Sequence, residues 1–261
     1  MQINSKSFTW KYPIISSSVV FGIWIISYIL GQRSATLTSD FIYIPLTVLL
    51  TITAFFQIYQ SRKERKEILI WSILGVYAMT YNIAQHIWAF NELILDQKPF
   101  PSFADFAFTI GAISLVIFFI LIIKVKKQFI SKKMLGISAI PGGIVIILSS
   151  YFFISNYAGY TLDQIILLGY PILDSIALTA STIGIMLYFK NKLGVGMYLI
   201  CFSMIPLTIG DILFQITSIN ETDYSGSVSD LFFYIQIILL IFGIYKISNS
   251  KDKTNFSEDQ N

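Results

Sequence analysis

The chain has 261 residues, 55 % of them hydrophobic and only 13 % charged, with a net charge of +3, one cysteine and one histidine. So few charges cannot solvate the surface of a water-soluble domain of this size. One histidine and one cysteine exclude bis-histidine haem and multi-thiolate metal sites.

A bilayer core of about 30 Å needs about 20 helical residues, rising about 1.5 Å each. Eight segments qualify in chain order: residues 14–31, 41–60, 67–94, 102–124, 134–156, 164–189, 193–218 and 228–246. The run "ISLVIFFILII" (113–123) typifies them. The expected class is therefore all-α, a polytopic membrane bundle of eight transmembrane helices. The first segment follows "MQINSKSFTWKYP" with no small-residue cleavage site behind it, so it reads as a retained helix and not a signal peptide. Cys201 falls inside an apolar segment, where it reads as a small core residue.

The connections alternate sharply in charge. One side receives Lys6, Lys11, "SRKERK", "KVKKQFISKK", "KNK", Lys246, Lys251 and Lys253; the other receives only Arg33 and Lys98. Sixteen of the 18 basic residues thus share one side, which puts that side and both termini in the cytoplasm of a multi-pass cell-membrane protein. Membrane lipid is the expected partner. Topology and anionic headgroups account for the basic loops, so no nucleic acid is expected.

Shifting the sequence by 125 positions pairs Ser102 with Ser227, Asp105 with Asp230, Phe108 with Phe233 and His86 with Asp211. An offset of 126 pairs Pro45 with Pro171. The chain therefore reads as a cytoplasmic N-terminus (1–13), a four-helix repeat (14–125), a basic cytoplasmic linker (126–137), a second four-helix repeat (138–247) and a disordered polar tail (248–261). Four spans per half make the repeats parallel, about an axis along the membrane normal.

"SFAD" at 102–105 and "SVSD" at 227–230 both fit a capping box, in which a serine and an acid three residues on satisfy the first amides of a helix. Capping alone accounts for Asp105 and Asp230. It does not account for Asp174 in "YPILDSIAL", His86 in "NIAQHIWAF" or Asp211 in "LTIGDILFQ", each set in apolar sequence. Ionisable groups facing lipid are costly and turn toward partners inside a bundle. Counted from the nearest cytoplasmic lysine, all five lie 16 to 20 residues away, about 24–30 Å. They are expected to form one polar layer near the outer face. Asn82 shares a helix face with His86, and Gln215 with Asp211, so both join the candidate ligand-binding set.

The segments "IAQHIWAFNELILDQKPFPSFADFAF", "YPILDSIALTASTIGIMLYF" and "GDILFQI" with "YSGSVSDLFF" resemble the multi-span N-terminal membrane region of bacterial and archaeal diguanylate cyclases and histidine kinases. The resemblance implies a sensory membrane module, and it extends to Asp105, Asp174, Asp211 and Asp230. Helix 3 departs from that pattern, carrying Gln85-His86 in place of Gly-Asp. The output domain of that family is also missing, so signalling would run through a separate cytoplasmic partner; a homodimer stays open.

No H-E-x-x-H, G-x-S-x-G or phosphate-binding loop occurs, and no lysine lies mid-span to form a Schiff base. The expectation is a sensor-like module without cofactor or bound metal. It would bind a small ligand, or respond to protons, through the outer carboxylates. A small-solute or ion transporter or channel is the alternative, and an intramembrane lipid hydrolase a more distant one.

Overall fold

The computed structural model describes residues 11–156, 161–188 and 194–249. Most of the expected polar tail (248–261), most of the N-terminal segment, and Lys190 and Lys192 lie outside the described residues; Ser248 and Asn249, expected in the disordered tail, are the last turn of a helix, where Ser248 bonds Gln57. Within them the elements are helical, with no strand: α1 (Lys11–Ile29), α2 (Gln32–Gln60), α3 (Arg65–Leu93), α4 (Phe103–Val125), α5 (Lys132–Asn156), α6 (Leu162–Tyr188), α7 (Val195–Phe202), α8 (Met204–Ile219) and α9 (Val228–Asn249). Short 3-10 turns follow α2 and α4. Counting α7 and α8 as one, eight of these are long and apolar enough to cross a membrane, which makes the chain a multi-pass membrane protein by its helices.

Two boundaries differ from the sequence expectation. The second span starts at Gln32, well before residue 41, because Gly31 alone breaks the chain, at φ 105°, a conformation open to glycine. The polar stretch Arg33–Asp40 is then helix, and its buried positions (Ala35, Ser39, Asp40, Tyr43, Thr47) follow a helical period. The seventh span is broken at Ser203 into α7 and α8. Pro206 has no N–H to give the carbonyl four residues back, and its ring crowds that turn.

α2, α3, α4, α6, the α7–α8 span and α9 form a closed ring, each packed on the next and α9 returning to α2. α1 sits outside the ring against α2 and α9, and α5 outside against α6 and α8. At the end carrying the basic loops the ring is filled. Trp71, Leu74, Phe118, Phe119, Ile200, Leu240 and Ile244 are each 0–1 % exposed there. Close backbone approach holds α7 on α9, where a Cβ at Gly196 would lie 2.8 Å from the carbonyl oxygen of Gly243. Toward the opposite end the core turns polar, which is where the candidate site lies.

Candidate functional site

At the end remote from the basic loops, α4 begins with the expected capping box. Ser102 Oγ accepts from the Ala104 amide at 3.1 Å, and the Ser102 amide donates to Asp105 Oδ2 at 2.7 Å. α9 begins otherwise. Asp230 Oδ2 accepts from the Gly226 amide, not from Ser227, and the Ser227 hydroxyl pairs with Ser229 at 2.8 Å. Gly226 takes φ 89° and lies against the backbone of Ala35, so the loop turns back over α2 and aims its amide at the carboxylate.

Each of these aspartates also takes a phenolic hydroxyl from another helix. Tyr170 of α6 donates to Asp105 Oδ1 at 2.9 Å, and Tyr43 of α2 to Asp230 Oδ1 at 3.0 Å. Ser39 adds a bond to Asp230 Oδ2 at 2.6 Å and itself accepts from Tyr234 at 2.7 Å. Asp230 therefore has its acceptors well supplied.

The Asp174 carboxyl on α6 and the Asp211 carboxyl on α8 lie beside each other, with the Thr208 hydroxyl also next to Asp174. Asp174 is 4 % exposed, and its Oδ2 has no hydroxyl or amide donor among the described residues.

Asp105, Asp174, Asp211 and Asp230 all line one cavity inside the ring, with Asp223 at its edge. Its volume is about 90 Å³ measured at water centres, where one water needs about 10–15 Å³. Most of the remaining wall is aromatic, and among the described residues no Lys, Arg or His lines it. Rings meet in sequence along it: Tyr77 on Tyr81 at 5.6 Å, Tyr81 on Phe108 at 5.2 Å, Phe108 on Trp88 at 6.1 Å, Trp88 on Phe214 at 6.1 Å and Phe214 on Phe100 at 5.3 Å. This run joins the cavity to a second chamber of about 320 Å³ at the end of the bundle, which Phe100 lines. Glu92, Asp96, Glu221 and Asp223 line that chamber, with Lys98 its one basic residue among those described.

The loop before α9 closes part of the passage between the two chambers. Trp24 Nε1 donates to the Gly226 carbonyl at 2.9 Å and Thr36 to the Ser225 carbonyl at 3.0 Å. Trp88 Nε1 donates to Ser225 Oγ at 2.9 Å, and Ser225 Oγ donates to Glu92. Asp223 accepts from Thr217 at 3.1 Å. Burial pushes the Asp223 carboxyl up to about 7, helped by the negative charges of Asp230 and Glu92 and opposed by the Thr217 bond and Lys98.

Four of the sequence-derived site residues thus come together and three do not. His86 is exposed on the outer face of α3, its ring bonded to the Asn82 carbonyl of its own helix at 2.8 Å. The Asn82 side chain accepts from Thr47 at 2.9 Å, joining α2 and α3 away from the cavity. Gln215 is fully buried and reaches the Ser149 carbonyl of α5 at 3.5 Å. The inward face of α3 is the one carrying Tyr77, Tyr81, Gln85 and Trp88. Asn82 and His86 share a face, as their spacing requires, but it is a different one.

Asp40, Glu92 and Asp223 are absent from the sequence-derived set, since the expected spans leave Asp40 and Asp223 in loops and Glu92 at a helix end. Asp40 is 1 % exposed with neither carboxyl oxygen hydrogen-bonded. The helical period of Ser39, Asp40, Tyr43 and Thr47 was the available signal. Among the described residues no three His, Cys, Asp or Glu side chains are placed to hold a metal ion. In comparisons with known proteins, no family model, curated protein or solved structure matches the chain.

Proposed function

We propose that the chain is a sensor-like module of the cell membrane that takes a small ligand, or responds to protons, through the carboxylate-lined cavity. The observation that carries this reading is the convergence of Asp105, Asp174, Asp211 and Asp230, from four different helices, on one cavity. Acidic groups are costly to keep within a bundle, and their presence there is the usual mark of a binding or proton site. The apolar side chains Trp71, Leu74, Phe118 and Leu240, packed into the end of the ring that carries the basic loops, support a blind cavity over a conducting path.

In this reading the chain consists of two parallel four-helix repeats with both termini cytoplasmic, so the cavity opens outward. The neighbour pattern supports the repeat: between the halves α4 on α6 matches α9 on α2, and within them α3 on α4 matches α8 on α9. The Tyr170–Asp105 and Tyr43–Asp230 bonds occupy these matched contacts. The basic loops support the orientation. A ligand or proton bound between helices of the two halves would change how the halves pack, and a cytoplasmic partner would read that change.

The test is hydrogen exchange of the nanodisc-embedded protein between pH 5 and pH 8, with and without the Asp174→Asn/Asp211→Asn double substitution. A pH-dependent change in protection at the outer ends of α4, α6 and α9, lost in the double variant, is expected. An identical response in the two proteins would sink the proposal, and solute flux above empty liposomes would replace it with a transporter.

A further inference from the structure

We infer that the ligand class of this cavity is a small organic monoammonium ion, its nitrogen at the Asp174–Asp211 pair and its apolar body along the run of aromatic rings. This rests on the reading of the cavity as a ligand site and names what it selects.

The polar groups of the wall divide into satisfied and unsatisfied ones. Asp105 and Asp230 already hold donors from Tyr170, Tyr43, Ser39 and backbone amides. The Asp174–Asp211 pair is different: its members face each other, and Asp174 Oδ2 is buried without a donor. A buried acceptor of this kind is stabilised by an incoming N–H, most strongly by a charged one. An ammonium offers three donors on one point charge and can bridge both carboxyls.

The walls then decide between kinds of cation. A metal ion would need several oxygen ligands around one point, and no such cluster exists among the described residues. An organic cation matches what is there, because aromatic rings attract a cation through their faces and pack against hydrocarbon. The rings run unbroken from Tyr77 beside the acid pair to Phe100 in the outer chamber. A second ammonium would find its counter-charges already engaged, which favours one positive charge. The outer chamber, with four acids against Lys98, draws cations toward the passage.

The test uses three compounds of similar shape: phenethylamine, 2-phenylethanol and 3-phenylpropionate. Binding is measured calorimetrically on the full chain in nanodiscs at pH 7. Phenethylamine is expected to bind at least about tenfold more tightly than the alcohol, with the acid weaker still. Asp174→Asn should weaken the amine by about tenfold or more while leaving the alcohol unchanged. An alcohol that binds as well as the amine, or an amine indifferent to Asp174→Asn, overturns the inference.

Absence of binding by all three also overturns it. Labelling of an Ala112→Cys variant by a membrane-impermeant maleimide then separates the two readings. Ala112 lines the cavity, and the native Cys201 is fully buried. A labelled but non-binding cavity leaves the ligand-site reading standing without the ammonium; an unlabelled one removes both.

Discussion

Tyr170 of α6 donates its hydroxyl proton to Asp105 of α4 across 2.9 Å, and Tyr43 of α2 does the same for Asp230 of α9 across 3.0 Å. Both bonds are made where one run of four spans meets the other, so they hold the ring closed as well as shaping the cavity. A double-mutant cycle on each pair (Tyr170→Phe with Asp105→Asn, Tyr43→Phe with Asp230→Asn) should show a coupling of about 1–3 kcal/mol. Unfolding in mixed micelles reads it. Additive effects at either pair would mean that the tyrosine only packs there.

Asp40 and Asp230 should respond oppositely to the same substitution. Asp40 has no hydrogen-bond partner among the described residues, so Asp40→Leu removes a buried polar group without orphaning another. It should leave stability unchanged or raise it by roughly 1–2 kcal/mol. Asp230→Leu orphans Tyr43, Ser39 and the Gly226 amide and should cost about 3 kcal/mol or more. Thermal unfolding in detergent measures both. A large loss from Asp40→Leu would show that its carboxyl has a role in the fold.

Asp223 gives the outer end a pH dependence. Its carboxyl is pushed from an ordinary 3.8 to about 7, burial being the largest cause. The folded state thus holds this proton more tightly than the unfolded chain does. Ionised Asp223 is a burden fully present above pH 7, relieved progressively as pH falls toward 4. The difference in Tm between wild type and Asp223→Asn should therefore shrink from pH 8 to pH 5. A difference constant across that range would contradict the buried position of the carboxyl.

Gly226 combines φ 89° with a Cβ position only 2.5 Å from the Ala35 carbonyl oxygen. Gly226→Ala should cost about 1–3 kcal/mol through backbone strain and displacement of the loop. It should also deprive Asp230 of its amide donor and Trp24 of its acceptor. The indole fluorescence of Trp24 and the unfolding midpoint should both shift; a wild-type midpoint would argue against the turn described.

The spans were legible because 20-residue apolar windows have few other uses. Asp105, Asp174, Asp211 and Asp230 were legible because an acid in such a window has to face inward. Which side of a helix faces inward was harder to read, since a span apolar on every face carries almost no directional signal. For that reason His86 and Asn82 were grouped with the site although α3 turns them away. Asp40 was hidden by a different effect. A polar stretch after a glycine looks like a loop, whereas here it is the first turns of a helix whose polar stripe is buried. Tyr43 and Tyr170 were unreadable as carboxylate partners because that pairing depends on α2 meeting α9 and α6 meeting α4.

On the proposed reading of the cavity as a ligand site, the apolar packing beneath the acid pair sets what it would report. A space with a single entrance equilibrates only with the fluid beyond that entrance, so its occupancy follows the concentration there and ignores the opposite compartment. A ligand site filled only from the outer chamber would spend no membrane gradient, and departure would retrace arrival past Trp88 and Ser225. How long an occupant stayed would then be governed by that one doorway, and a substitution there would alter residence time without altering how much is held at equilibrium.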